Sequence, residues 1–213
     1  MDAHVTFVLD SSGSMSRIRE DTIGGFNTFL EDQRAEEGRA SVTLYEFADS
    51  VELVYEGRAI ENAPELDTDS YVPGGGTALH DAIFTAVTET DRYLAQMPAR
   101  VSPATVVVVV LTDGRENASE TPQETVRDLV ESHTDDGWEF LFIGANQDAA
   151  LTAVEMGIDR DQSLDMSHSG EGAREAYVAT SRNVSEARRT GSVGGYDAED
   201  RRKQEDADGS TDD

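Results

Sequence analysis

Residues 5 to 14 read Val5-Thr6-Phe7-Val8-Leu9-Asp10-Ser11-Ser12-Gly13-Ser14, a nearly continuous apolar run that stops at an aspartate and turns polar at once. A strand buried on both faces cannot alternate apolar with polar residues, so such a run marks a central strand of a parallel sheet. Val106 to Leu111 repeats the pattern and ends at Thr112-Asp113. Between the two, Val42, Leu44 and Phe47 fit one strand and Val51 to Tyr55 a second. The connection Ala48-Asp49-Ser50 is too short for a crossover helix, so this pair must be an antiparallel hairpin. Trp138 to Ile143 supplies a fifth strand and Gln162 to Met166 a weaker sixth.

Helical periodicity fills the gaps. Ile23, Phe26 and Leu30 share one face of a first helix, and Leu79, Ile83, Ala86, Val87 and Leu94 one face of a second. Thr121-Pro122-Gln123-Glu124 predicts an N-cap, a first-position proline and a capping-box glutamate for a third, with Val126, Leu129 and Val130 inward. A fourth is expected from about Asp148 to Met156, stopping at Gly157. Ala173, Ala176, Tyr177, Thr180 and Val184 stripe a fifth. The fold class is therefore α/β: a doubly wound, mostly parallel six-stranded sheet with one antiparallel edge strand and helices on both faces. The antiparallel strand leaves the chain at the wrong end of the sheet, so Ile60 to Gly76 must climb back across the fold. At about 3.3 Å per extended residue it is long enough. Gly24-Gly25 inside the first helix costs about 1 kcal/mol each relative to Ala, and close helix packing is the expected reason.

The chain has 213 residues, with 44 Asp and Glu against 17 Lys and Arg, a net charge of −27. Such a charge repels phosphate backbones and anionic lipids, so neither nucleic acid nor membrane is expected as a partner. Lys203 is the only lysine, which removes Schiff-base chemistry and a phosphate-loop lysine from the folded region. With no cysteine, disulfides, thiolate catalysis and Cys-based zinc sites are excluded together. No leader-like or membrane-spanning run is seen, so a cytoplasmic protein is expected. From Asp197 to Asp213 the net charge is −5, so the remaining −22 is spread over the fold. Acid excess with lysine depletion resembles the proteins of salt-accumulating halophilic archaea, where screening relieves self-repulsion. The folded domain is expected over residues 1–190. Residues 191–213, Gly-rich and then charged, are expected to be an acidic disordered tail whose removal leaves the fold intact.

In an open α/β sheet, ligands sit beyond the carboxyl ends of the strands. Three loops are expected there: Asp10-Ser11-Ser12-Gly13-Ser14, Gly74-Gly75-Gly76-Thr77 and Thr112-Asp113-Gly114. Asp10, Ser12, Ser14, Thr77 and Asp113 offer two carboxylates and three hydroxyls, hard donors that suit Mg²⁺, Mn²⁺ or Ca²⁺. This set, Asp10-x-Ser12-x-Ser14 followed by a distant Thr77 and then Asp113 in Leu-Thr-Asp-Gly, resembles the metal-ion-dependent adhesion site of von Willebrand factor A domains, over about Met1 to Ala187. The resemblance implies a strand order of 3-2-1-4-5-6. It also implies a metal held by Asp10, Ser12 and Ser14, with Thr77 and Asp113 bound directly or through water, and a last position filled by a partner's Asp or Glu. Neutral hydroxyls leave the ion electrophilic, which lets an acidic protein capture an acidic partner.

Taken singly, Ser, Thr and Asp before a helix are ordinarily caps, and only their convergence points to a metal. Asp21 and Asp81 fall in early helical turns, where dipole compensation explains them. His80 reads as a half-buried residue at a helix start; His4, His133 and His168 are dispersed and predict no histidine metal site. No histidine pairs with Ser11 to Ser14 in nucleophile spacing. The function expected is thus a non-enzymatic, metal-dependent protein-binding module, an adaptor or assembly factor. The resemblance adds an AAA-type ATPase complex as a partner class. The alternative is a Mg²⁺-dependent phosphohydrolase using Asp10 or Asp113.

Overall fold

The computed structural model describes residues 2–145 and 149–209. The strands are β1 (Ala3–Asp10), β2 (Ala40–Phe47), β3 (Val51–Ala59), β4 (Thr105–Thr112), β5 (Glu139–Ala145) and β6 (Ser163–Met166). The helices are α1 (Arg19–Ala35), α2 (Leu79–Ala95), α3 (Gln123–Asp135), α4 (Ala149–Glu155), α5 (Gly170–Thr190) and α6 (Ala198–Gly209). The sheet order is β3-β2-β1-β4-β5-β6, parallel throughout except for the β2/β3 hairpin at one edge. The fold class and the implied strand order hold. Every residue of β1 and β4 is buried, as their apolar runs require.

The pleat divides the core into two layers. Val5, Phe7 and Leu9 of β1 and Val107, Val109 and Leu111 of β4 face α1 and α5, while Val8, Val108, Val110, Phe140 and Phe142 face α2, α3 and α4. Phe7 meets Phe26 and Phe29 edge-on and stacks on Tyr177 at 6.1 Å between ring centres. Tyr177 explains the glycine pair. A Cβ at Gly25 would lie 2.1 Å from its ring, whereas one at Gly24 would meet nothing within 4 Å. Close packing therefore holds for Gly25 alone.

The climb back across the fold is threaded along α1. Arg34 donates to the carbonyls of Ile60 and Ala63, Asn27 pairs with both backbone groups of Leu66, and Arg19 donates to Tyr71 O and Thr68 O. Ile60, Ala63, Leu66 and Tyr71 turn inward beneath these anchors. The Tyr71 hydroxyl ends the climb by donating to Asp10 O at 2.5 Å. The strap thus arrives at the carboxyl edge already bonded to the loop after β1.

At the amino end several buried polar groups bond one another. The His4 ring bonds Ser41 Oγ at 2.8 Å, Thr6 and Thr90 share a 2.8 Å hydroxyl contact, and burial pushes the His4 pKa down to about 4.

Two expectations fail. Thr121 does not cap α3: its backbone N–H donates to Asp81, and no side-chain cap bond starts that helix. The Thr121 side chain bonds the Asp81 carboxylate, which also receives the backbone N–H groups of Glu120 and Thr121, in place of the first turn of α3. The second concerns the chain after Thr190. Gly191 ends α5 in the left-handed conformation, φ 93°, and residues to 209 then fold back as α6 against α5 and β6. Tyr196 is 4% and Ala207 1% exposed, and the Tyr196 hydroxyl meets Thr180 Oγ1 at 2.9 Å. Arg182 clasps Asp200 with two bonds, while Gln204 accepts from Ser167 N and donates to Gly172 O. A few specific anchors outweigh a charged composition. Residues 210–213 of the expected tail, and the expected start of α4 at Asp148, lie outside the described residues. Among the described residues, no helix is long and apolar enough to cross a membrane.

Candidate metal centre

The three predicted loops meet at the carboxyl edge because β1 and β4 are adjacent and parallel, so Asp10 and Asp113 leave the sheet side by side. Backbone bonds tie the loops together: Gly74 N to Ser11 O at 2.7 Å, Gly13 N to Gly75 O at 3.1 Å and Asn117 N to Thr77 O at 3.1 Å. Gly75, with φ 83°, passes close over Asp49, where a Cβ would come within 2.3 Å of Oδ2.

The Asp10 carboxylate is fully buried. Oδ1 accepts from Ser12 N at 2.7 Å and Oδ2 from Thr112 Oγ1 at 2.6 Å. Burial pushes its pKa up to about 6; the Thr112 and Ser12 bonds pull the other way, and Asp113 adds repulsion. Ser14, exposed at the mouth, donates to Asp113 Oδ1 at 2.5 Å and meets Ser12 Oγ at 3.1 Å. Thr77 is 3% exposed, its N–H given to Asn117 Oδ1. Its hydroxyl lies over Gly114, where a Cβ would stand 2.6 Å from Oγ1. The five predicted residues are thus on one edge: four form a chain of contacts through Ser12 and Ser14, and Thr77 faces the Asp113 loop.

Neither Asp10 nor Asp113 has an arginine or lysine partner among the described residues. A buried carboxylate without a cation is costly unless it is hydrogen-bonded, protonated or bound to a metal. Among the described residues, the close polar neighbour of Asp113 Oδ2 is His168 Nε2, at 2.8 Å, and no hydrogen-bond donor meets that oxygen. No three His, Asp or Glu side chains among the described residues gather tightly enough to hold a metal by themselves. Hydroxyls must complete any ligand set here, and the donors present, all oxygen in the predicted five, suit a hard divalent cation.

Sequence reading missed several contributors. Tyr71, Thr112, Asn117 and Asp49 shape the loops, and Glu116 gathers donors from His80 N, Ala118 N and Ser119 to fold the 114–121 turn. His168, expected to be dispersed, stands 2.8 Å from Asp113 Oδ2. Its place directly after β6, at the carboxyl edge, was the one signal available.

The von Willebrand factor type A domain family profile matches residues 4–185. Comparison by sequence with functionally curated proteins gives no match. Solved structures with the same fold include proximal thread matrix protein 1 from the mussel byssus with a zinc-occupied MIDAS motif, at 16% identity and TM-score 0.60, covering 86% of this chain and 46% of that one. A von Willebrand factor type A protein from Catenulispora acidiphila matches at 17% identity and TM-score 0.56, over 85% of this chain and 42% of that one. BatB from Bacteroides thetaiotaomicron matches at 13% and 0.56, over 88% of this chain and 100% of that one. The chain spans less than half the length of the first two. Since the family match covers most of the sequence and the sheet order agrees, the chain belongs to the von Willebrand factor type A domain family, whose members are in general protein-interaction modules.

Proposed function

We propose that this domain binds a protein partner through a Mg²⁺ ion held by Asp10, Ser12, Ser14, Thr77 and Asp113, the ion's free position taking an Asp or Glu of the partner. The observation that carries the reading is the pair of buried carboxylates at one sheet edge, with no arginine or lysine partner among the described residues and hydroxyls on the open side. The metal supplies the positive charge that lets a protein of net charge −27 hold an acidic group. Asp10, fixed by Ser12 N and Thr112, is the rigid anchor. Ser14, exposed, sits where an incoming group arrives. Thr77 and Asp113 are carried by loops joined through Asn117, so movement of one is felt by the other. Mn²⁺ and Ca²⁺ share the same donor preference.

The cell we infer is a salt-accumulating archaeon, with the protein in its cytoplasm and an AAA-type ATPase complex as the class of assembly it serves. The charge of −27 with a single lysine supports the first of these. The test is capture of partner from lysate of the source cell in concentrated KCl, with Mg²⁺ or with EDTA, using the parent and Asp10→Asn. Capture that needs Mg²⁺ and Asp10 is expected; equal capture in EDTA rejects the metal bridge. Turnover of a generic phosphate ester lost in Asp10→Asn would favour a phosphohydrolase instead.

A further inference from the structure

We propose that this edge reads an acidic cluster, with Arg17 and Arg115 binding carboxylates that flank the one on the metal. The inference rests on the metal reading above and names the partner segment: a stretch of chain with further Asp or Glu beside its metal-binding carboxylate. Arg17 owes its place to the turn after the motif. Gly13–Ile18 form a 3₁₀ helix, in which side chains three apart lie over one another. Burial shows that register, since Met15 and Ile18 are 0% and 2% exposed while Ser14 and Arg17 both face solvent. Arg17 therefore shares the outward face with Ser14, the exposed member of the predicted five. Arg115 is also exposed, two residues past Asp113, beyond the Gly114 that lies under the Thr77 hydroxyl. The two arginines thus stand on the loops after β1 and β4, the same loops that follow Asp10 and carry Asp113.

Among the described residues, neither guanidinium has a carboxylate within ion-pair distance, although Glu20 and Asp21 follow Arg17 in the next turn. The acids of the neighbouring loops are engaged with backbone donors instead. Asp49 accepts from Gly76 N, Asp81 from Glu120 N and Thr121 N, and Glu116 from His80 N, Ala118 N and Ser119 N. In a chain with 44 acids, two guanidinium groups at the rim of the site therefore keep their donors for an incoming carboxylate. Such rim charges select a partner more than they hold it. They can act in concentrated salt as well, because a guanidinium–carboxylate contact of about 2.8 Å is no longer than the Debye length of roughly 3 Å at 1 M.

The test is titration of the full chain, followed by NMR chemical shifts, with two short Gly-Ser peptides, one carrying Asp-Asp-Glu-Asp-Asp and the other Asn-Asn-Glu-Asn-Asn. Each is added in Mg²⁺ or EDTA at one KCl concentration in which the parent is folded. The proteins are the parent, Arg17→Gln with Arg115→Gln, the same pair changed to Lys, Asp10→Asn, and Arg100→Gln, whose exposed arginine precedes β4 at the opposite end of the sheet. The parent in Mg²⁺ is expected to prefer the Asp-flanked peptide by at least about threefold, the double Gln variant to lose that preference, and Arg100→Gln to keep it. Lysine at both positions is expected to retain part of it, as charge without the planar fork. No preference in the parent, a preference that survives in the double Gln variant, or an equal loss in Arg100→Gln would overturn the proposal. The metal reading is scored separately: it falls if the peptides bind as well in EDTA or to Asp10→Asn. It stands, and the arginine role alone falls, if binding needs Mg²⁺ and Asp10 but is blind to the flanking acids.

Discussion

Residues 10–14 and residues 191–209 are both polar stretches in a strongly acidic chain, yet they earn their order differently. The first is short, follows a buried strand, and has each Asp10 oxygen met by a donor within the same sheet edge. The second is long and charged, and is held by scattered contacts: Tyr196 on Thr180, Asp200 on Arg182, Gln204 on Ser167 and Gly172. Polar composition by itself therefore does not separate solvated chain from docked chain. What separates them is whether each buried polar group finds a partner, and whether one or two apolar side chains find a hole.

The sharpest way to break the comparison is to remove the second stretch. Truncation after Thr190 uncovers the sites of Tyr196 and Ala207 and leaves Arg182 and Ser167 N without their partners. A loss of about 3 to 5 kcal/mol is expected, the range for deleting one large buried aromatic, with a melting temperature lower by roughly 10 °C. An unchanged melt would show that α6 contributes nothing to the fold.

The first stretch is tested by Asp10→Asn, which keeps the side chain's shape and removes a buried charge. Magnesium affinity is expected to drop at least about a hundredfold by calorimetry, while stability without metal shifts by no more than about 1 to 3 kcal/mol. Loss of the fold itself would mean that Asp10 serves structure before metal.

A smaller effect probes the platform beneath α6. Since α5 lies on α1 through Tyr177 and Gly25, Gly25→Ala should cost about 1 to 3 kcal/mol by overpacking. Gly24→Ala, one residue away and facing open space, should stabilise by up to about 1 kcal/mol. Chemical denaturation of the two variants side by side reads the contrast, and equal effects would remove the packing explanation.

The smallest effect lies beside the motif loop, at the end of β2. Glu46 has its carboxyl pushed up to about 7, first by burial and then by Glu52 directly opposite in the hairpin. Its folded pKa is above the ordinary value of about 4.3, so its ionisation opposes folding. Stability from this group is complete below about pH 4 and declines as pH rises through 7. Glu46→Gln should thus raise the melting temperature at pH 8, by the equivalent of less than about 1 kcal/mol, and leave it unchanged at pH 4. A gain of equal size at both pH values would place the effect in packing instead of charge.

Much of this molecule is local in origin, and that part was legible. The apolar runs of Val5 to Leu9 and Val106 to Leu111 determine two central strands, because only a doubly covered strand tolerates such continuity. The short Ala48-Asp49-Ser50 link determines an antiparallel pair, and that in turn the climbing strap, by chain length alone. Asp10, Ser12, Ser14, Thr77 and Asp113 could be assembled because all five follow or precede strands and helices whose direction was already known. Tertiary structure alone decided what depends on the far side of a contact. Gly25 differs from Gly24 only through Tyr177, Thr121 loses its capping role to Asp81, and His168 reaches Asp113 only because β6 ends beside the site. The chain after Thr190 docks for the same reason: its few anchors are worth something only once α5 and β6 present the partners, and no periodicity within the segment encodes surfaces that lie elsewhere in the chain.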